Sequence, residues 1–238
     1  MLFNRFVKLA VIVILMLSFS CGGGREGIKI VYLFDISTSF IENRDNCLNT
    51  ARKIFQKIIE PSEGLEFPQK HEMYLIDINP LNPNNSFETI EISRPSVFLR
   101  NQWSSQLESA NKKFDENVKT IQKLSGSRGT NINGAILRAS NALQGTSIYG
   151  KVIILFSDLE NVTTIEIPPD IPNLEDITIY VIWEYNPVSA INPTSIVDDQ
   201  DSIKEFLIDA GSNVDRIHFE HISSVDPKEC IEFIRRSF

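Results

Sequence analysis

The stretch IKIVYLFDISTS, residues 28–39, carries the fold of this chain. Its first seven residues are apolar except Lys29, and most are β-branched or aromatic. A short run of that composition predicts a buried central strand. It closes on Asp35, and Ser37 and Ser39 follow at alternate positions. Open α/β sheets place their binding crevice at the strand tips, so a carboxylate and two hydroxyls there are candidate oxygen ligands. Such donors suit a hard cation such as Mg²⁺. The spacing D-x-S-x-S equally fits a strand running into an Asx or Ser turn, and alone it does not separate the two.

Outward from this run, strands and helices alternate. Apolar residues at helical spacing predict a helix over 42–60, stopped by Pro61 and Gly64. Residues 72–79 read as a second strand, and 86–92, alternating apolar and polar, as an edge strand forming an antiparallel hairpin with it. Trp103, Leu107, Ala110, Phe114, Val118 and Ile121 make one apolar stripe on a long helix, which is a core-facing pattern. A flexible loop over 125–129 leads to Thr130 and a helix carrying Ile132, Ile136, Ala139 and Leu143. The run VIILF, residues 152–156, is a second buried strand, and it too ends near a carboxylate, Asp158. A strand over 177–183, a loop over 186–201, a helix over 203–210 with Ser202 as its cap, a strand over 216–222 and a helix over 226–237 complete the chain. This order predicts an α/β fold: a doubly wound, mostly parallel central sheet with one antiparallel edge strand and helices on both faces. Asp35 and Asp158 then share one sheet edge if their strands are neighbours.

The 238 residues support one ordinary domain, and 42% apolar with 23% charged residues is a globular composition. The formal charge is −8, with no basic stripe, which disfavours nucleic acid as a partner. Arg5 and Lys8 precede the uncharged run 9–19, too short to span a bilayer and suited to the core of an export signal. Small residues lead into Cys21, and Gly22, Gly23 and Gly24 follow. This segment resembles a bacterial lipoprotein signal, although Leu17 stands one step earlier than the usual leucine position, now Ser18. The resemblance implies a signal over 1–20, a lipidated Cys21 with a flexible tether to residue 27, and a domain over 28–238. Gly22 after the cysteine, rather than an aspartate, implies the outer membrane over the inner. Ordinary cleavage and release, or an uncleaved anchor, are the alternatives.

Three separated pieces, Asp35-Ile36-Ser37-Thr38-Ser39, Gly129-Thr130 opening a helix and Ser157-Asp158 ending a strand, together resemble the von Willebrand factor type A (VWA) domain and its metal-ion-dependent adhesion site. The resemblance covers residues 28–238 and implies a Rossmann-type sheet. It implies that Ser37 and Ser39 ligate a metal through their hydroxyls, that Thr130 does so in the ligand-competent state, and that Asp35 and Asp158 act directly or through water. The implied ion is Mg²⁺, with Mn²⁺ or Ca²⁺ as alternatives. The implied role is a non-catalytic, envelope-anchored module whose partner protein supplies an Asp or Glu to complete the coordination. One departure stands out. Where the family commonly has glycine after the strand-four aspartate, this chain has Leu159 and then Glu160. A degenerate site in a structural accessory subunit of an envelope assembly is therefore the alternative. Family topology also makes the first and last helices neighbours, which implies a disulfide between Cys47 and Cys230.

Other signals carry less. His218 and His221 lie three apart on a strand and so face opposite sides, and His71 is expected to precede its strand without partners. The chain contains no H-E-x-x-H, Walker, Cys-x-x-Cys or G-x-S-x-G motif, and Ser37 stands where an aspartyl-phosphate enzyme needs its second aspartate.

Overall fold

The computed structural model describes residues 27–238 except 42, 80–81, 83–84, 95–99, 128, 146–149, 161–172 and 185–192. The expected export signal, Cys21 and nearly all of the tether lie outside the described residues. Six strands form one sheet: β1 (Ile28–Asp35), β2 (Gln69–Ile76), β3 (Ile90–Ile92), β4 (Gly150–Ser157), β5 (Ile177–Trp183) and β6 (Ile217–His221). Their order is β3-β2-β1-β4-β5-β6. All pairings are parallel except that of the edge strand β3 with β2, so the expected architecture is the observed one. Among the described residues, five α-helices flank the sheet: α1 (Arg44–Ile58), α2 (Arg100–Gln122), α3 (Ile132–Leu143), α4 (Pro193–Asp209) and α5 (Pro227–Arg236).

β1 is central because it can be buried on both faces. All eight of its residues are buried. Ile28, Ile30, Tyr32 and Phe34 point into a core closed by α1, α2 and α5, while Val31 and Leu33 point into a second core with side chains of α3 and α4. The predicted α2 stripe lies in the first core, with Ala110, Phe114, Val118 and Ile121 buried and Trp103 and Leu107 packed against them. Lys29, the one basic residue of the strand, is paired where it lies: its Nζ sits 2.8 Å from Glu72 Oε1 and donates to Ala142 O at 2.6 Å. Paired in this way, a buried ammonium is tolerated.

Several boundaries differ from the sequence expectation. β2 begins at Gln69, three residues before the expected strand, because its polar start is buried and bonded. Rather than preceding the strand without partners, His71 lies within it: Nδ1 is 3.2 Å from Tyr32 Oη and Nε2 is 3.1 Å from Gln69 Oε1. β3 keeps only the last three residues of the expected edge strand, with Ser86 making an isolated bridge to Tyr74. Of the loop expected over 186–201, residues 193–201 are instead the first part of α4, which starts at Pro193, and the rest lie outside the described residues. Proline suits the first helical turn, where its missing N–H has no helical partner. His218 and His221 do part as expected, His218 against Tyr180 and Phe233 and His221 against Trp183.

The Cys47–Cys230 disulfide is absent from the structure. Both residues are buried free thiols on the packed pair α1 and α5. They face different neighbours: Cys47 Sγ is 4.0 Å from Glu184 Oε2, while Cys230 lies in the field of the Tyr32 and Tyr180 hydroxyls. Burial, then nearby negative charge, pushes both thiols well up, so neither is a ready thiolate.

Burial pushes the His71 imidazole down from 6.5 to about 3. The unfolded chain therefore binds a proton that the folded chain refuses, and stability falls as pH drops from 6.5 toward 3. The share lost between pH 6.5 and 5 is about 2 kcal/mol. His71→Phe should lower stability at pH 7, because Tyr32 and Gln69 lose a partner, yet show a shallower fall with acid. Urea midpoints at pH 7 and pH 5 for both proteins check this, and equal slopes would refute it.

Candidate metal centre

The strand order reverses at β1 and β4, and the tips of these neighbours bring Asp35 and Asp158 together. Asp35, fully buried, is held on three sides. Its Oδ1 accepts from Ser37 N at 2.7 Å and, weakly, from Thr130 Oγ1 at 3.5 Å, and its Oδ2 accepts from Ser157 Oγ at 2.6 Å. Ser37 Oγ and Ser39 Oγ are 3.0 Å apart, Ser37 buried and Ser39 half-buried, so the hydroxyl pair runs from the interior outward. Thr130 is 1% exposed, just ahead of Asn131, whose side chain caps α3 by accepting from Gly134 N at 2.8 Å. The five residues named from the sequence come together at the tips of β1 and β4 and the start of α3, where an open α/β sheet has its crevice.

Asp158 is held differently. Its Oδ1 accepts from Glu160 N at 3.2 Å, but its Oδ2 is buried with no hydrogen-bond partner. The Ser39 hydroxyl is near enough to favour the ionised carboxylate without making a hydrogen bond of ordinary geometry to Oδ2. Burial raises the pKa of both aspartates, and the charge of Asp158 raises that of Asp35 further. Two desolvated carboxylates side by side, one with an orphaned oxygen, are costly unless something positive joins them. The donors that converge here are carboxylate and hydroxyl oxygens, which suit Mg²⁺, Mn²⁺ or Ca²⁺. The residues thus fit a divalent cation. Among the described residues no cluster of three or more His, Cys, Asp or Glu has metal-ligand geometry, so a cation here would need hydroxyl oxygens beside the two carboxylates.

Three features escaped the sequence reading. Ser157 joins Asp35 to the turn after β4, since its Oγ also accepts from Leu159 N at 3.0 Å. Its place directly before Asp158 at a strand end was the available signal. In the loop expected over 125–129, Ser127 makes a strap rather than part of a free linker: its N donates to Ile36 O at 2.7 Å, and Thr38 N and Oγ1 donate to its O at 3.0 and 2.8 Å. Glu184 follows β5 beside the crevice, its N donating to Ser157 O at 3.3 Å, and burial raises its carboxyl. Glu160 is half-buried, and its charge pushes Asp158 further up.

The strap depends on Gly126. A Cβ there would lie 2.9 Å from Thr38 Cα and 2.6 Å from Ile41 Cδ1. Gly126→Ala should push the strap off the Ser37–Ser39 turn, at about 1–3 kcal/mol, and weaken cation binding with it. Denaturation and metal titration check both effects, and unchanged values would mean that the strap yields freely.

The turn after Asp158 keeps a left-handed residue, as a glycine would, but the residue is Leu159 at φ +67°. Its side chain is 1% exposed, packed in the core beneath α3 and α4. Packing thus holds a backbone conformation that leucine disfavours.

No known family description matches the chain, and no curated protein matches it. Solved structures do resemble it. BatB from Bacteroides thetaiotaomicron is 14% identical with a TM-score of 0.45, covering 89% of this chain and 98% of its own. A von Willebrand factor type A protein from Catenulispora acidiphila is 11% identical with a TM-score of 0.47, covering 89% of this chain and 42% of its own. Proximal thread matrix protein 1 from the mussel byssus, solved with a zinc-occupied MIDAS motif, is 11% identical with a TM-score of 0.42, covering 89% and 48%. Identities this low carry no residue's role from one chain to another.

Proposed function

We propose that this chain is a non-catalytic, VWA-like module that binds a partner protein through a divalent cation, Mg²⁺ foremost, held by Asp35, Ser37, Ser39, Thr130 and Asp158. The observation that carries the reading is the buried, unpartnered Oδ2 of Asp158, in a group whose neighbours are Asp35 and the Ser39 hydroxyl. Bound there, the cation would supply positive charge with a position open to an Asp or Glu of the partner. The chain's own residues prepare that position. Asp35 is fixed by Ser157, Ser37 and Thr130, so its carboxyl stays at the site without turning outward. Ser37 and Ser39 contribute uncharged oxygens, which leave a cation under-compensated and receptive to a further carboxylate. The strap at Ser127 keeps their turn in place. Anchoring through Cys21 to the cell envelope, on the outer membrane, completes the proposal.

A second reading is a structural accessory subunit with a degenerate site, favoured by the full burial of Leu159, which shows that the turn also serves the core. Capture of envelope proteins in Mg²⁺ and in EDTA separates the two. Metal-dependent capture lost in Asp35→Ala and Thr130→Ala, with the fold intact, supports the binding module. Metal-dependent capture retained by both variants refutes it, and capture indifferent to EDTA favours the accessory subunit.

A further inference from the structure

The edge opposite the crevice carries a different surface. β1, β4, β5 and β6 all start there, and α4 and α5 end there, so residues far apart in sequence lie along one rim. Among the described residues, four large apolar side chains are exposed. Ile78 lies just past the tip of β2 on the crevice side. The other three lie on the opposite rim: Ile208 at 41% exposure near the end of α4, Val214 at 51% in the turn before β6, and Phe238 at 41% beyond α5. The Phe238 ring stands over Gly150, where any Cβ would come within 2.7 Å of it. It borders a cavity of about 470 Å³ that Gly27, Ile28, Gly150 and Arg235 also line.

That rim is also where the preceding chain enters, at Gly27. Cys21 is six residues away, so a chain of that length reaches at most about 20 Å even when fully extended. The crevice lies a full strand away, roughly 25 Å for eight residues. An anchor at Cys21 would therefore keep the Gly27 rim within about 20 Å of the bilayer. We propose that this rim is a lipid-contact surface, with Ile208, Val214 and Phe238 entering the headgroup boundary. The inference rests on the reading of Cys21 as a lipid anchor. Apolar insertion is the driving term, because Asp215 and Glu66 share the rim with Arg235 and Arg236 and leave no polybasic patch. Such contact would orient the crevice toward a partner beyond the membrane surface.

The test uses the full lipidated chain reconstituted into phosphatidylethanolamine–phosphatidylglycerol vesicles. Val214→Cys, Ile208→Cys and Ile78→Cys are each labelled with an environment-sensitive dye, which the fully buried Cys47 and Cys230 do not take up. The expected result is a blue shift and a severalfold loss of iodide quenching at positions 214 and 208 on reconstitution, with position 78 unchanged. Protein that stays on the vesicles with all three dyes equally quenched overturns the lipid-contact surface while leaving the anchor intact. Protein that does not partition to vesicles overturns the anchor and this inference together.

Discussion

Metal-free protein carrying Asp158→Asn should be more stable than the wild type, and Mg²⁺ should no longer stabilise it. Asp158 holds its charge at 8% exposure, with Oδ2 unpartnered and Asp35 alongside. A neutral amide of the same shape removes the repulsion and most of the desolvation cost. An unsatisfied buried group of this kind costs about 1–3 kcal/mol, more when charged. The sign follows from the raised pKa of the carboxyl in the fold. The penalty is absent in acid, where folded and unfolded chains are both protonated, and complete once pH exceeds the folded value. The advantage of asparagine should therefore grow from acid toward neutral pH. In the wild type, cation at about 100 times its dissociation constant adds about 2.7 kcal/mol, which the variant forgoes. Melting curves with EDTA and with Mg²⁺ at several pH values measure all of this. A variant that is less stable without metal yet still gains from Mg²⁺ would contradict the site as described. Under the proposed function, the site would cost stability and a bound cation would restore it.

Leu159 gives the second large effect, with an inverted order of substitutions. Leu159→Ala removes a fully buried side chain and keeps the strained backbone, so a loss of about 2–5 kcal/mol is expected. Leu159→Gly removes the same side chain but relieves the left-handed conformation, which costs an L-residue roughly 1–2 kcal/mol. Glycine should therefore be the milder change, opposite to its usual rank against alanine. Cation affinity should survive better in Leu159→Gly, because the turn placing Asp158 keeps its form. Denaturant midpoints of the two variants decide the matter, and alanine proving milder would show that the turn is not strained.

The central strand was legible because β1 is buried on both faces, and such a strand must be apolar nearly throughout. Asp35 and Asp158 were legible for the same reason, as polar residues standing out where such runs end. What sequence hid was partnership. Gln69 and His71 look like loop residues until Tyr32 and the Ile58 and Leu65 carbonyls supply their hydrogen bonds from elsewhere in the chain. The strap was invisible because Ser37 and Ser127 meet across 90 positions. Ser202 resembled a helix start because a capping pattern is local, whereas α4 begins nine residues earlier. The thiols show the same limit, since neighbouring helices do not by themselves aim two side chains at each other.

The most direct test of the metal centre is a calorimetric titration of the full chain with Mg²⁺ and with Mn²⁺, beside Asp158→Ala. Saturable binding of one ion by the wild type and none by the variant is the predicted result. Identical heats for the two proteins, or no binding by the wild type, would contradict a cation held between Asp35 and Asp158.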